Sequence, residues 1–213
     1  MNDFASMDYI INHSFQLPKA LEWLEEETAR TTNHSRMLAG PALGRLLVTL
    51  SRMISPQKIM EIGTFTGYSA ICLSLGLQEG GRLDALEKND MHEALMREAF
   101  ERAGVSDKIT LHFGNAYGTI PLLKENTYDI VFIDGNKREY CTYYNLVFDM
   151  VRPGGYILAD NVLWYGKVVA DQPPKDAQTQ EIIRFNEMVK NDSRVECFIF
   201  PLRDGLSIIR KLS

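Results

Sequence analysis

Five short, largely apolar runs recur from Lys58 onward, at Lys58–Ile62, Arg82–Glu87, Lys108–Phe113, Tyr128–Asp134 and Gly155–Asp160, and stretches of helical periodicity separate them. Such alternation predicts parallel strands, because returning the chain to the same edge of a sheet needs a crossover that a helix supplies. Between the second and third runs, Leu95, Ala99, Phe100 and Ala103 fall on one helical face, and Gly104 follows where a left-handed cap would end the helix. Arg194–Phe200 and Leu206–Arg210 read as two further strands joined only by Pro201–Gly205, a link so short that it makes them antiparallel. Upstream, residues 20–54 read as helical, with a first stretch to about Arg30 and a second from about Met37. In the second, Leu43, Leu46, Leu47, Leu50 and Ile54 recur at helical spacing, and Pro41 fits only in its first turn. The expected architecture is an open, doubly wound α/β sheet preceded by helices, in one domain over residues 1–213.

Composition narrows what such a sheet can do. With 213 residues, 45% hydrophobic and 24% charged, the chain can bury a large core and is not of disordered composition. Its 23 basic residues against 28 acidic ones leave a net charge of −5, and no basic block is present to track a phosphate backbone. Cys72, Cys141 and Cys197 are widely spaced and set among apolar neighbours, which predicts reduced core thiols and a cytoplasmic location. Residues 1–16 lack a basic stretch followed by an apolar run, and nowhere do 18 apolar residues follow one another, so neither an export signal nor a membrane span is expected.

Sheets of this kind bind ligands at the carboxyl ends of their strands, near the point where strand order reverses. Here those ends read Glu61-Ile62-Gly63, Glu87, Gly114-Asn115-Ala116, Asp134 and Asp160-Asn161, so each strand brings a glycine, an acid or an amide to one edge. Gly63-Thr64-Phe65-Thr66-Gly67 opens a helix directly after a strand, which lets a ligand approach the backbone closely without matching the dinucleotide fingerprint. Glu87 stands where an acid accepts hydrogen bonds from ribose hydroxyls.

Carboxylates converging on one edge repel unless a cation or proton joins them. NAD would bring a pyrophosphate into that field, whereas S-adenosylmethionine (SAM) brings adenine, ribose and a sulfonium cation, so SAM is the expected ligand. Asp134, Asp160 and Asn161 offer only oxygen ligands, which suit Mg²⁺ best, with Mn²⁺ or Ca²⁺ as substitutes. The bland alternative is that Asp160-Asn161 starts a turn and Asp134 caps the next helix. His13, His34, His92 and His112 are scattered and read as surface or packing residues, and no G-x-S-x-G elbow supports acyl transfer.

In order, the chain carries Glu26-Glu27-Thr28-Ala29, Met37, Gly44, Glu61-Ile-Gly-Thr-Phe-Thr-Gly-Tyr-Ser69, Phe132-Ile-Asp-Gly-Asn-Lys137, Arg152-Pro-Gly-Gly155, Ala159-Asp-Asn-Val-Leu-Trp164 and Arg203-Asp-Gly205. Together these resemble the cation-dependent SAM O-methyltransferases, the family of the caffeoyl-CoA and catechol enzymes, over nearly the whole length. The resemblance implies a Rossmann-like seven-stranded sheet, mostly parallel with a C-terminal antiparallel hairpin, and a homodimer. It also implies roles for particular residues. Glu61, Gly63, Thr64 and Ser69 would hold the methionine part of SAM, Tyr68 would also contact the cofactor, Glu87 would take the ribose, and Asn115 and Ala116 the adenine side. Asp134 would border the cofactor as well as bind the metal with Asp160 and Asn161. Lys137 would be the general base beside Asp134, and Met37, Trp164 and Tyr165 would cover the substrate. Two departures stand out: Asn115 where the family commonly has Asp, and Gly135-Asn136 where it often has Ala-Asp.

The expected reaction is metal-dependent methyl transfer to a hydroxyl of a catechol-like or hydroxycinnamoyl-like phenol. Two alternatives are a tRNA 5-hydroxyuridine O-methyltransferase, which the acidic chain disfavours, and a noncatalytic SAM-binding module. No membrane partner is expected.

Overall fold

A computed structural model describes residues 4–125 and 127–213. Three helices come first, α1 (Phe4–Asn12), α2 (Lys19–Thr31) and α3 (Gly40–Ile54). Strands and helices then alternate as β1 (Lys58–Ile62), α4 (Tyr68–Ser74), β2 (Arg82–Glu87), α5 (Glu93–Ala103), β3 (Ile109–Phe113), α6 (Ala116–Thr119), β4 (Tyr128–Ile133), α7 (Tyr140–Val147), β5 (Val151–Asp160), α8 (Ala177–Lys190), β6 (Val195–Phe200) and β7 (Leu206–Lys211). The described residues form a seven-stranded sheet in the order β3-β2-β1-β4-β5-β7-β6. β1 to β5 pair in parallel, and β7 runs antiparallel to both β5 and β6.

Local chemistry explains the boundaries. Pro41 occupies the first turn of α3, where its missing N–H costs nothing. Gly104 ends α5 in the left-handed region, at φ 68°, with its N–H on the carbonyls of Glu101 and Phe100. β5 starts at Val151, four residues before the expected Gly155. Val151 pairs with Tyr128 and Tyr156 with Ile130, so the intervening Arg152–Gly155 bulges out of register, and Pro153 there has no N–H to give the ladder.

Each face of the sheet carries its own apolar layer. Leu43 and Leu47 of α3, Ile71 of α4 and Phe100 of α5 pack on one side, and Tyr140 and Tyr144 of α7 with Ile182 and Phe185 of α8 on the other. Residues 35–54 are long and apolar enough to cross a bilayer by length and composition alone. In the fold, Leu43, Gly44, Leu47, Val48 and Ser51 are buried, which makes α3 a core helix. The cysteines depart from expectation. Cys72 is buried, but Cys141 is only partly so and Cys197 is exposed on β6, because an outermost strand has no neighbour to cover it.

Strand order reverses at β1, with β2 and β3 to one side and β4 to the other. Backbone bonds lace the strand ends there: Gly63 N–H to Leu86 O, Asp134 N–H to Ile62 O and Gly114 N–H to Glu87 O, each 2.9 Å. That lacing places the ends of β1 to β4 along one rim, and parallel pairing with β4 brings the end of β5 beside them.

Candidate active site

The turn after β1 is built around glycine. Gly63 has φ 93°, and a Cβ there would lie 2.7 Å from the Asp134 carbonyl oxygen. Gly67 has φ 97°, and a Cβ there would meet the Phe100 ring at 2.6 Å. Between them Phe65 also takes a left-handed conformation, at φ 54°. Its N–H donates to Glu87 Oε2 at 2.8 Å, while Asn89 N–H donates to Oε1 at 3.1 Å. Glu87 thus organises the loop and still offers lone pairs to a ribose. Gly63→Ala is expected to cost at least about 2 kcal/mol, from positive φ and a clash with backbone that cannot swing aside, as read by urea denaturation.

Beneath this loop lies Glu61, fully buried, with neither carboxylate oxygen in a formed hydrogen bond among the described residues. Burial pushes its carboxyl up to about 8, although the nearby Ser69 and Thr64 hydroxyls offset part of the rise. Thr64 Oγ1 itself turns to the Leu86 carbonyl at 3.5 Å. A buried carboxylate without a donor is costly unless a cationic or hydrogen-bonding ligand completes it. An ammonium such as that of SAM's methionine part fits that need.

The ends of β4 and β5 hold a second polar group. Lys137, 9% exposed, donates from Nζ to Asp134 Oδ1 at 2.6 Å and to the Tyr140 hydroxyl at 2.7 Å. Tyr140, fully buried, donates in turn to the Asp160 carbonyl at 2.8 Å. One buried phenol thereby ties the predicted base to the backbone of a predicted metal ligand. Asp160 is itself buried, and its Oδ1 has no hydrogen-bond partner among the described residues. Burial and the Asp134 charge push its carboxyl up, against the opposing charge of Lys137. Asn161 sits in the left-handed region at φ 61°, which asparagine tolerates better than most residues. Among the described residues no three acidic, histidine or cysteine side chains gather as a metal cluster. The set here is two carboxylates completed by an amide, all hard oxygen donors, and the unpartnered Asp160 oxygen suits a divalent cation.

Both departures from the family pattern act as caps. Asn115 Oδ1 accepts from Tyr117 N–H at 3.0 Å ahead of α6, where Ala116 is the first residue. Asn136 Oδ1 accepts from Arg138 N–H at 3.2 Å. It is therefore Asn136, not Asp134, that caps the turn at Lys137–Glu139.

The Tyr68 side chain points away from the rim. Its ring is buried in the apolar layer against Gly44 and its phenol interacts with Glu25, so the side chain serves the core rather than the rim. Met37 and Tyr165 are exposed and Trp164 is partly buried with its indole N–H unpartnered. Sequence reasoning gave no role to Tyr140. Its only signal is a spacing of three residues after Lys137, which a helical turn brings onto the same face.

A glycine turn at the reversal of strand order, an acid at the tip of β2 and a buried carboxylate beneath define a nucleoside-binding α/β protein. Comparison with known proteins narrows the class. A family model described as O-methyltransferase matches residues 11–212. Caffeoyl-CoA O-methyltransferase 1 of Arabidopsis thaliana is 33% identical over 212 residues, which cover 92% of this chain and 79% of the relative. Catechol O-methyltransferase domain-containing protein 1 of Mus musculus is 34% identical over 209 residues, covering 96% and 79%. Among solved structures, TomG of Streptomyces achromogenes, an O-methyltransferase in complex with SAM, superposes with a TM-score of 0.90 at 28% identity, covering 96% of this chain and 95% of that one. The Bacillus cereus O-methyltransferase in complex with SAH gives 0.88 at 28%, with 97% of each chain covered. The chain belongs to the SAM-dependent O-methyltransferase family.

Proposed function

We propose that this protein moves the methyl group of SAM to a hydroxyl of a small phenol carrying two adjacent oxygens, catechol-like or hydroxycinnamoyl-like, with help from a divalent cation. The observation that carries this reading is the pairing of a buried, unpartnered Asp160 oxygen with Asp134, Asn161 and Lys137 at neighbouring strand ends. Its caffeoyl-CoA and catechol relatives support the acceptor class.

A cation held by Asp134, Asp160 and Asn161, with Mg²⁺ the best match to oxygen donors, would supply Lewis-acid polarisation of the acceptor's paired oxygens. The chain's own residues do the rest. Glu61, Gly63, Thr64 and Ser69 hold the methionine end of SAM, Glu87 the ribose, and Asn115 with Ala116 the adenine. Lys137 Nζ has three donor positions, and Asp134 and Tyr140 take two. In the neutral amine the third position is a lone pair, which would take the acceptor's hydroxyl proton. The acceptor oxygen then forms a bond to the methyl carbon as the carbon–sulfur bond breaks, and charge of opposite sign cancels. This chemistry depends on alignment and exclusion of water more than on a protein nucleophile.

The test is methyl transfer to catechol and caffeic acid with and without EDTA. Chelation is expected to abolish turnover and added Mg²⁺ to restore it; undiminished turnover in EDTA removes the cation. Lys137→Ala is expected to slow transfer by about a hundredfold, and a normal rate across the pH range would discard it as base. Bulk tRNA forms a third arm, and SAM binding without turnover on any acceptor would mark a binding module. The protein is read as a cytoplasmic homodimer, which the exposed Phe198 and Phe200 on β6 support as an apolar face suited to a second copy.

A further inference from the structure

The turn between β6 and β7 reaches two segments that lie far from it in sequence. Arg203 takes a left-handed conformation at φ 52°, which a long side chain rarely adopts without compensation. Its guanidinium donates to the Leu38 carbonyl at 3.0 Å and to the Ala39 carbonyl. Those carbonyls directly follow Met37, at the end of the short helical turn Ser35–Met37.

The next residue reaches the other way. Asp204 Oδ1 accepts the Tyr165 N–H, Leu163 N–H donates to the Asp204 carbonyl at 2.8 Å, and Val162 N–H donates to the Gly205 carbonyl at 3.1 Å. The segment so held is strained, with Trp164, Tyr165 and Gly166 at φ 45°, 55° and 73° in succession. Three consecutive left-handed residues, two of them aromatic, persist only where the surroundings dictate them. Gly205 allows the close approach, since a Cβ there would lie 2.5 Å from the Leu163 side chain. Asp204 also stands within electrostatic range of Lys137. The turn thus borders the site as well as bracing it.

We propose that Arg203 and Asp204 are positioning residues that clasp the Met37 segment and the Trp164–Tyr165 segment together on the acceptor side, and so determine acceptor affinity and selectivity. The inference rests on the reading above that Met37, Trp164 and Tyr165 cover the acceptor. It adds that their placement comes from one turn of the C-terminal hairpin. The residues assigned above to the methionine, ribose and adenine of SAM lie at the ends of β1 to β3, and none of them is a hydrogen-bond partner of the clasp.

Three variants test this. Asp204→Ala removes the acceptor of the Tyr165 N–H, Asp204→Asn keeps an oxygen there, and Arg203→Gly keeps the left-handed backbone while deleting both ties to 38 and 39. In Asp204→Ala, hydrogen exchange at the Leu163 and Tyr165 amides is expected to quicken about tenfold, and the KM for catechol or caffeic acid to rise about tenfold, with SAM affinity by calorimetry within twofold. Asp204→Asn is expected to recover most of both effects. Arg203→Gly is expected to quicken exchange at the Met37 and Leu38 amides and raise acceptor KM about fivefold. Unchanged exchange in either segment overturns the clasp, and unchanged acceptor KM with faster exchange overturns its role in acceptor binding. Should the wild-type protein methylate neither probe in the presence of SAM and Mg²⁺, the acceptor class proposed above fails, and the exchange data alone stand for or against the clasp.

Discussion

Asp160→Ala is expected to lower methyl transfer at least about a hundredfold while SAM affinity stays within about threefold. The same substitution should leave the ligand-free protein as stable as before or more so. Asp160 is 3% exposed, its Oδ1 meets no donor, and Asp134 adds a second negative charge nearby. Lys137 offsets only part of that cost, so removing this buried carboxylate relieves a burden that folding otherwise bears. Loss of activity with no loss of Tm separates a ligand-binding acid from a structural one. Turnover within tenfold of wild type, or a fall in Tm by several degrees, would overturn the assignment.

The second large effect concerns Glu61 and pH. Its carboxyl stands at 4.5 in an unperturbed chain and at about 8 in the fold, chiefly through burial. Below 4.5 the group is protonated in both states and contributes nothing. Between 4.5 and 8 the unfolded chain releases the proton while the folded one keeps it, so each rise in pH favours unfolding. Above 8 the cost is complete. A displacement of that size corresponds to at most ~5 kcal/mol. The ligand-free protein should therefore lose urea resistance from pH 5 to pH 9, and Glu61→Gln should flatten that slope and raise stability at pH 9. SAM affinity of the variant should fall about tenfold or more, because the donor that completes the carboxylate loses its partner. Parallel stability curves for the two proteins would show that the charge is compensated within the fold.

Both predictions concern acids that sequence alone brought to the same edge, and that edge was legible for a physical reason. Strand ends are marked by local apolar runs, and in an open parallel sheet all carboxyl ends lie on one rim. Glu61, Glu87, Asp134 and Asp160 could be placed there without coordinates. Gly63 could be singled out as well, though its reason, the Asp134 carbonyl 2.7 Å from where a Cβ would stand, belongs to the fold. Tyr68 shows the limit. Adjacent to Gly67 and one residue before Ser69, it shares their helix start, but its side chain turns into the core against Gly44. The direction of one side chain at the start of a helix depends on what packs there, not on the motif. Cys197 misled for a related reason, since an apolar neighbourhood in sequence does not say that a strand lies outermost in the sheet.

The order of strands and helices, the glycine turn and the oxygen donors at the rim were determined by the sequence itself, because periodicity and backbone preference act over a few residues. Only the tertiary structure decided which of those donors find partners. Tyr140 reaches the Asp160 carbonyl across 20 positions, and Arg203 reaches Leu38 across 165. Contacts of that span arise when the sheet closes and its turns meet, so the tether on Lys137 and the clasp over the acceptor side have no signature in any local stretch of chain.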